Sequence, residues 1–332
     1  MVQRVPTDST AAGQSWAIVL AAGNGTRLSS LTRDAAGAAV PKQFCSLDGA
    51  LTLIEQTLAR AARVVDSTRI TAIVAASHRR YWEPALQGLP PDHIIVQPQD
   101  RGTAIGILLP ALRIAARDPD ARILILPSDH YVADEAVLEQ AMRCALEDIR
   151  EHPSGVALLG IEAHDPDPEL GYIVPHPGGH PRLSRVHHFV EKPAISEARR
   201  LVSEGALWNS FIVVCRAASL IELLERICPD VVQALRSIAP HDDAALAQGY
   251  RELPVIDFSR HVATGQEHRL AVMAVPRCGW NDLGTPHRLA QTLAGRRRRT
   301  SGHTARERPP LDYSINLADR LAQMCPTLAL DR

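Results

Sequence analysis

Apolar and polar positions follow two alternating patterns along the first half of the chain. Short, mainly apolar runs at 17–20, 70–75, 94–96 and 122–126 suit strands buried on both faces of a parallel sheet. Between them the apolar residues recur at helical spacing. Leu51, Ile54, Leu58 and Ala62 share one face of a predicted helix over 50–64, and further helices are predicted over 78–89, 104–116 and 134–151. Strand and helix in strict alternation predict an α/β fold, a doubly wound, mostly parallel, Rossmann-like sheet.

The texture changes after residue 155. A strand over 156–160 is followed by a Pro/Asp-rich loop over 163–170, a short extended piece over 171–175, a Gly/Pro/His turn and a strand over 183–190. This section reads as a β-rich insertion forming a lid or a second-substrate pocket. Helices are predicted over 195–204, 217–227, 231–238 and 243–250, a mixed loop and strand over 253–261, a last core strand over 270–275 and a helix over 286–294. Beyond 295, four consecutive arginines (296–299) and a polar stretch containing Pro309-Pro310 predict a basic, partly disordered tail. Within it lies a weak amphipathic segment near 315–324.

The ends of the predicted strands carry the candidate chemistry. After the first, Ala21-Ala22-Gly23-Asn24-Gly25-Thr26 has only small side chains, so backbone N–H groups can approach a phosphate closely, and Arg27 adds a planar cationic fork. Such a turn also serves as a plain tight connection. Leu28 stands where a dinucleotide fingerprint needs its third glycine, and no Gly-Lys-Ser/Thr closes the turn, so neither that fingerprint nor a P-loop is present. Lys42, after Pro41, supplies a second positive charge. The third strand ends in another polar turn, Gln97-Pro98-Gln99-Asp100-Arg101-Gly102-Thr103, on the rim where open α/β sheets bind ligands. The fourth delivers Asp129, which suits either a Mg²⁺ ligand or a turn-ordering cap, although Asp134 is the better-placed cap for the following helix. Asp282 alone is most simply a helix cap; with Asp129 it makes a second ligand for one cation.

Composition sets the limits. At 332 residues with 45% hydrophobic content the chain can bury a large core. Its 37 acids and 36 bases nearly cancel, which gives no global field for nucleic acid or anionic membrane. Cys45, Cys144, Cys215, Cys228, Cys278 and Cys325 lack metal-site spacing and read as reduced, mostly buried thiols. His176, His180, His187 and His188 fit no common metal pattern and read as solvated. No secretory leader or membrane span is visible, so a cytoplasmic protein is expected.

Taken together and in order, LAAGNGTRL (20–28), PKQF (41–44), SHR (77–79), QPQDRGTA (97–104), LPSDHYV (126–132), GYI (171–173), FVEKP (189–193), WNSF (208–211) and GWNDLGT (279–285) resemble the sugar-nucleotide pyrophosphorylases. Within that family the chain is most similar to the mannose-1-phosphate guanylyltransferases. The resemblance implies a fold of the nucleotide-diphospho-sugar transferase type. It also implies a division into a flexible N-terminus (1–15), a catalytic domain (16–295, with nucleotide-binding and sugar-binding parts meeting near 155) and the tail (296–332). The implied reaction joins a nucleoside triphosphate, GTP in this branch, to a sugar 1-phosphate with release of pyrophosphate. Mg²⁺ is the implied cofactor. The implied partners are these small molecules, with a homodimer left open.

By the same resemblance, Leu20, Ala21, Ala22, Gly23, Gly25 and Thr26 bind the nucleotide through backbone groups, with Gln97, Arg101, Gly102 and Thr103 on its base and ribose side. Arg27 and Lys42 hold the triphosphate, Lys192 holds the sugar phosphate, Gly171, Glu191 and Asn209 meet the sugar, and Asp129 and Asp282 hold Mg²⁺. The sequence departs from the family pattern at Ile105-Gly106, at Phe211 in place of a glycine, and at Val262 where a glutamate is common. These departures bear on which sugar is used more than on the chemistry. A different base or sugar, or a homologue that only binds a nucleotide-sugar, are the alternatives.

Overall fold

The apolar run at the head of the chain forms β1 (Ser15–Ala21), and its alternate residues face two separate cores. Ala17, Val19 and Ala21 pack toward α1 (Leu53–Val64) and α4 (Glu135–Asp148), whereas Trp16 and Ile18 pack toward α3 (Thr103–Arg117). β2 (Ile70–Ala75), β3 (Ile94–Gln97) and β4 (Arg122–Pro127) flank β1 in the parallel order β3-β2-β1-β4. The short helix α2 (Arg79–Ala85) links β2 to β3. The structure, a computed structural model, describes residues 15–34, 36–178, 182–240, 242–300 and 315–324, apart from the side chains of Thr26 and of 297–300.

Local chemistry accounts for the helix starts. Thr52 and Glu55 form a reciprocal capping box on α1, and Asp134 accepts from the Val137 N–H at the start of α4. The expected helical and extended segments are present in this half, with ends shifted by a few residues.

Past β4 the expectation of a mostly parallel sheet is corrected. The strands β5 (Val156–Glu162), β6 (Gly171–Pro175), β7 (Ser184–Glu191), β8 (Leu207–Arg216) and β9 (Ala271–Val275) extend the same sheet to nine strands, in the order β3-β2-β1-β4-β8-β5-β9-β7-β6. β8 runs antiparallel to both β4 and β5, so the sheet is mixed. Burial on both faces sets the apolar run of a strand but says nothing of its direction, and the sequence pattern could not report it. The β-rich section is accordingly part of the main sheet rather than a separate insertion. β6 also pairs with β8, and β8, β5, β9, β7 and β6 close into a ring.

The helices α5 (Ile195–Ser203), α6 (Ala217–Ile227), α7 (Pro229–Ser237) and α8 (Asp243–Glu252) follow the predicted pattern. The strand expected within 253–261 is absent; instead Asp257 caps a single wide helical turn over Phe258–Ala263 by accepting from the Arg260 N–H. Two helices lie in or run into the stretch read as the tail, the second within the amphipathic segment expected near 315–324. α9 (Pro286–Thr300) runs on past residue 295, and α10 (Leu317–Met324) returns to the domain. Ser46 N–H donates to Ile315 O at 2.8 Å, Leu317 N–H donates to Ser46 O at 2.8 Å, and Ile315, Leu317 and Leu321 are buried in the main core. Arg296 pairs with Asp48 and lies over the Tyr131 ring.

Cys45, Cys144, Cys215, Cys228 and Cys278 are free thiols, and Cys325, His180 and Pro309-Pro310 lie outside the described residues. No described helix is long and apolar enough to cross a membrane.

Because Leu317 is fully enclosed, Leu317→Ala should destabilise the protein by about 2–4 kcal/mol in urea unfolding. A loss under about 0.5 kcal/mol, typical of a surface position, would detach α10 from the core.

Candidate functional site

The carboxyl ends of β1 and β4 open into a cleft of about 300 Å³. Its floor is the turn after β1, held by side chains from elsewhere. Gln43 Nε2 donates to Ala21 O (3.0 Å) and Gly23 O (2.9 Å), and Ser128 Oγ donates to Leu20 O (2.6 Å). Gly25 has φ +58°, and a Cβ there would stand 3.0 Å from Lys42 N, so glycine allows the 41–44 segment to pack against the turn. Arg27 leaves this turn in a single 3₁₀ turn and lines the cleft.

The two aspartates expected to share a cation come from segments far apart in sequence. A two-residue antiparallel bridge joins them: Tyr131 N–H to Asn281 O at 2.8 Å and Asn281 N–H to Tyr131 O at 2.9 Å. Buried Lys42 crosses behind, with Nζ 2.9 Å from Asp129 Oδ2 and 2.6 Å from Asp282 O. Asp282 takes the Gly284 N–H (2.9 Å) and buried Arg288, and its Oδ2 lies 3.6 Å from Arg27. Arg288 also reaches Asp167 at 2.7 Å. A Cβ on Gly284 would fall 2.6 Å from Asp282 Oδ2 and 2.9 Å from Arg27, so the crowding of charge here needs that glycine.

Burial works to raise the Asp129 carboxyl, but Lys42, His130 and Arg27 outweigh it and hold it at about 2. Burial opposes ionisation of Asp282 too, and Arg288 above all keeps its carboxyl below the ordinary range. Burial pushes the His130 imidazole below its ordinary value, against the pull of the Asp129 carboxylate. Trp280 Nε1 donates to its Nδ1 at 3.3 Å, which leaves the proton on Nε2, 3.5 Å from Asp129 Oδ1.

At the other end of the cleft stand Gly171, Glu191, Lys192, Asn209 and Phe211, with Asp257 and Ser259 from the turn after α8. Gly171 faces Glu191 across the β6–β7 ladder, and a Cβ on it would stand 2.7 Å from Glu191 Oε2. Burial and then Asp257 raise the Glu191 carboxyl. Among the described residues, the non-glycine ones with left-handed backbone are Lys192 (φ +50°), Phe211 (φ +58°) and Leu283 (φ +50°). Two of these line the cleft and the third adjoins Asp282. Clustering of that kind marks functional sites.

The cleft thus gathers Leu20, Gly23, Gly25, Arg27, Thr103, Asp129, Gly171, Glu191, Lys192, Asn209 and Asp282 of the expected residues, with Lys42 directly behind. Others lie elsewhere. Gln97 is buried at the end of β3 with its side-chain oxygen unpartnered. Arg101 spends its guanidinium on Tyr250 O (2.6 Å), Arg251 O (2.9 Å) and Gln99, clamping the α8 end rather than facing the cleft. Gly102 (φ +84°) lies so close to Ile256 that a Cβ would meet its oxygen at 2.3 Å. Ala21 and Ala22 do not line the cleft, and the Thr26 side chain lies outside the described residues. Val262 is enclosed in the core and offers the cleft nothing. The sequence reading missed Gln43, Ser128, His130, Glu169 and Arg288 as site residues. Gln43 and His130 adjoin recognised residues, whereas nothing local marks Arg288.

The described residues contain no group of three or more His, Cys, Asp or Glu side chains able to hold a metal. Two ionised carboxylates lining one cleft still suit Mg²⁺, which takes one or two protein carboxylates and completes its octahedron with phosphate and water oxygens.

Residues 16–296 match the family described as nucleotidyl transferase. The chain is 31% identical over 284 residues to the alginate biosynthesis protein AlgA of Pseudomonas aeruginosa, covering 81% of this chain and 56% of AlgA. It is 30% identical over 281 residues to the mannose-1-phosphate guanylyltransferase ManC of Salmonella typhimurium, covering 81% of this chain and 57% of ManC. The chain therefore spans little more than half the length of these curated relatives. A crystal structure named as a mannose-1-phosphate geranyltransferase from Thermus thermophilus matches with a TM-score of 0.74 at 30% identity, over 85% of this chain and 79% of that one. The inositol-1-phosphate CTP transferase of T. maritima, at 15% identity and a TM-score of 0.53 over 88% of this chain and 98% of that one, shares the fold alone.

The depressed Asp129 carboxyl contributes stability that is complete above its ordinary value of 3.8 and is lost as pH falls toward about 2. Asp129→Asn should remove that part of the acid limb in urea unfolding between pH 5 and pH 2. At neutral pH it should lose about 1–3 kcal/mol, because Lys42 stays buried without its carboxylate while the partly exposed Asp129 end limits the loss. Equal stability of variant and parent across that range would disprove the pairing.

Proposed function

The chain belongs to the nucleotidyl transferase family, and on that footing we propose that it transfers a guanylyl group from GTP to mannose 1-phosphate, giving GDP-mannose and pyrophosphate. The observation that carries this reading is the charge gathered at a single cleft: Arg27 beside Asp282 and Asp129 backed by Lys42 toward one end, and Lys192 at the other. Two polyanionic substrates repel each other, and cations at both ends offset that repulsion as they approach.

In the proposed reaction an oxygen of the sugar phosphate attacks the α-phosphorus in line. The new P–O bond forms as the bond to the β-phosphate oxygen breaks, and that oxygen leaves with pyrophosphate. No protein nucleophile is needed, in keeping with the cleft: the Ser128 hydroxyl beside Asp129 is committed to a backbone carbonyl, and no cysteine lines the site. Arg27 and Lys42 would hold the triphosphate and stabilise the charge that builds on the leaving pyrophosphate, and Lys192 would seat the sugar phosphate. Mg²⁺, when bound, would be held by Asp129 and Asp282 and would supply charge neutralisation at the phosphates.

Pyrophosphate release measured over a grid of nucleoside triphosphates and fully hydroxylated hexose 1-phosphates tests the reading, with GTP and mannose 1-phosphate expected to give the highest kcat/KM of that grid. Highest activity with another pair would keep the reaction and change the substrate; release with none would overturn the enzyme reading. Lys192→Gln should raise the KM for sugar phosphate about 10- to 100-fold, as loss of a charge-assisted contact does, and leave that for triphosphate nearly unchanged. Equal rises in both would remove Lys192 from the sugar-phosphate end.

A further inference from the structure

β8 does not run straight past the cleft. Its register against β5 jumps between the Leu159–Ile212 pair and the Gly160–Asn209 pair, so Ser210 and Phe211 have no partners on β5. Ser210 turns inward, donating to Leu159 O at 2.5 Å and accepting from the Ile212 N–H at 3.2 Å. The Phe211 N–H is held by Asn209 Oδ1 at 3.0 Å, and the residue takes φ +58°. Bulges of this sort re-aim a side chain, and here the one re-aimed is a bulky aromatic in a conformation that favours glycine. Its ring lines the cleft and rests edge-on against buried Phe258, with centroids 6.1 Å apart. Of the polar groups of this end, Asn209 adjoins Phe211 on β8, whereas Glu191, Lys192, Asp257 and Ser259 come from other segments.

We propose that Phe211 is a specificity-determining residue of the sugar end, selecting sugar 1-phosphates that are deoxygenated on the part of the ring turned toward it. The inference rests on the nucleotidyl-transfer reading and narrows its sugar from mannose 1-phosphate itself to a deoxy relative of such a hexose 1-phosphate. A hydroxyl pressed against the Phe211 ring gives up its water and gains no partner, because neither Phe211 nor Phe258 behind it can accept or donate a hydrogen bond. A C–H or methyl edge at the same place gains contact instead. The remaining hydroxyls have Glu191, Asn209 and Asp257 within the same cleft.

The test is the kcat/KM of the full chain with a hexose 1-phosphate and its 2-, 3-, 4- and 6-deoxy analogues, in the parent and in Phe211→Gly. Glycine adopts φ +58° without strain, which offsets part of the lost ring contact with Phe258, so the variant should still fold cooperatively. The parent should favour one deoxy analogue over the hydroxylated sugar by about ten-fold or more, the scale of an unpaired hydroxyl in an apolar pocket. Phe211→Gly should abolish that preference with little change in the KM for triphosphate, and Phe211→Leu should keep most of it. A flat profile in the parent, or a preference that survives in Phe211→Gly, overturns the inference and leaves the transfer reaction standing. Turnover of no sugar 1-phosphate overturns both.

Discussion

The site depends on one buried ammonium. Lys42 is almost entirely removed from solvent, and a charge in that position must be met by polar partners or it destabilises the fold by several kcal/mol. Its partners are the Asp129 carboxylate, at the tip of β4, and the backbone oxygen of Asp282, more than a hundred residues further on. Lys42 therefore draws together three stretches that do not otherwise meet in sequence, and the short Tyr131–Asn281 bridge keeps two of them in register.

Around that ammonium the charges are balanced in pairs. Asp129 answers Lys42, Asp282 answers Arg288 with Arg27 nearby, and Arg288 passes on to Asp167. The carboxylates are held ionised and the cations are held close, so arriving phosphates or a divalent cation would exchange partners with groups already in place rather than create charge in a dry cleft. The backbone supports the same arrangement. Left-handed conformations at Lys192, Phe211 and Leu283 are unfavourable for residues with side chains and persist where surrounding contacts outweigh them. Lys192 and Phe211 line the cleft, and Leu283 adjoins Asp282.

Phe211 shows how much a register change can alter chemistry. As an ordinary strand residue in the middle of an apolar run it would have joined the core. Two unpaired residues in β8 leave it lining the ligand space instead, beside Asn209 and with its ring against buried Phe258.

Much of the site was legible in the chain itself. Small residues after an apolar run imply a turn of close backbone approach, whatever the fold around it, and the apolar runs of β1 to β4 with helical spacing between them imply an α/β frame, because burial imposes periodicity locally. Direction, register and distant partners are different in kind. The antiparallel course of β8, the closure of β6 onto it, the return of α10 to the core and the use of Arg101 as a clamp on α8 all depend on which surfaces meet. The sequence offered Asp129 and Asp282 as candidate ligands of one cation, but only chain folding across some 150 residues brings both to one cleft. Local periodicity records whether a side chain is buried, and only the tertiary structure decides what it is buried against.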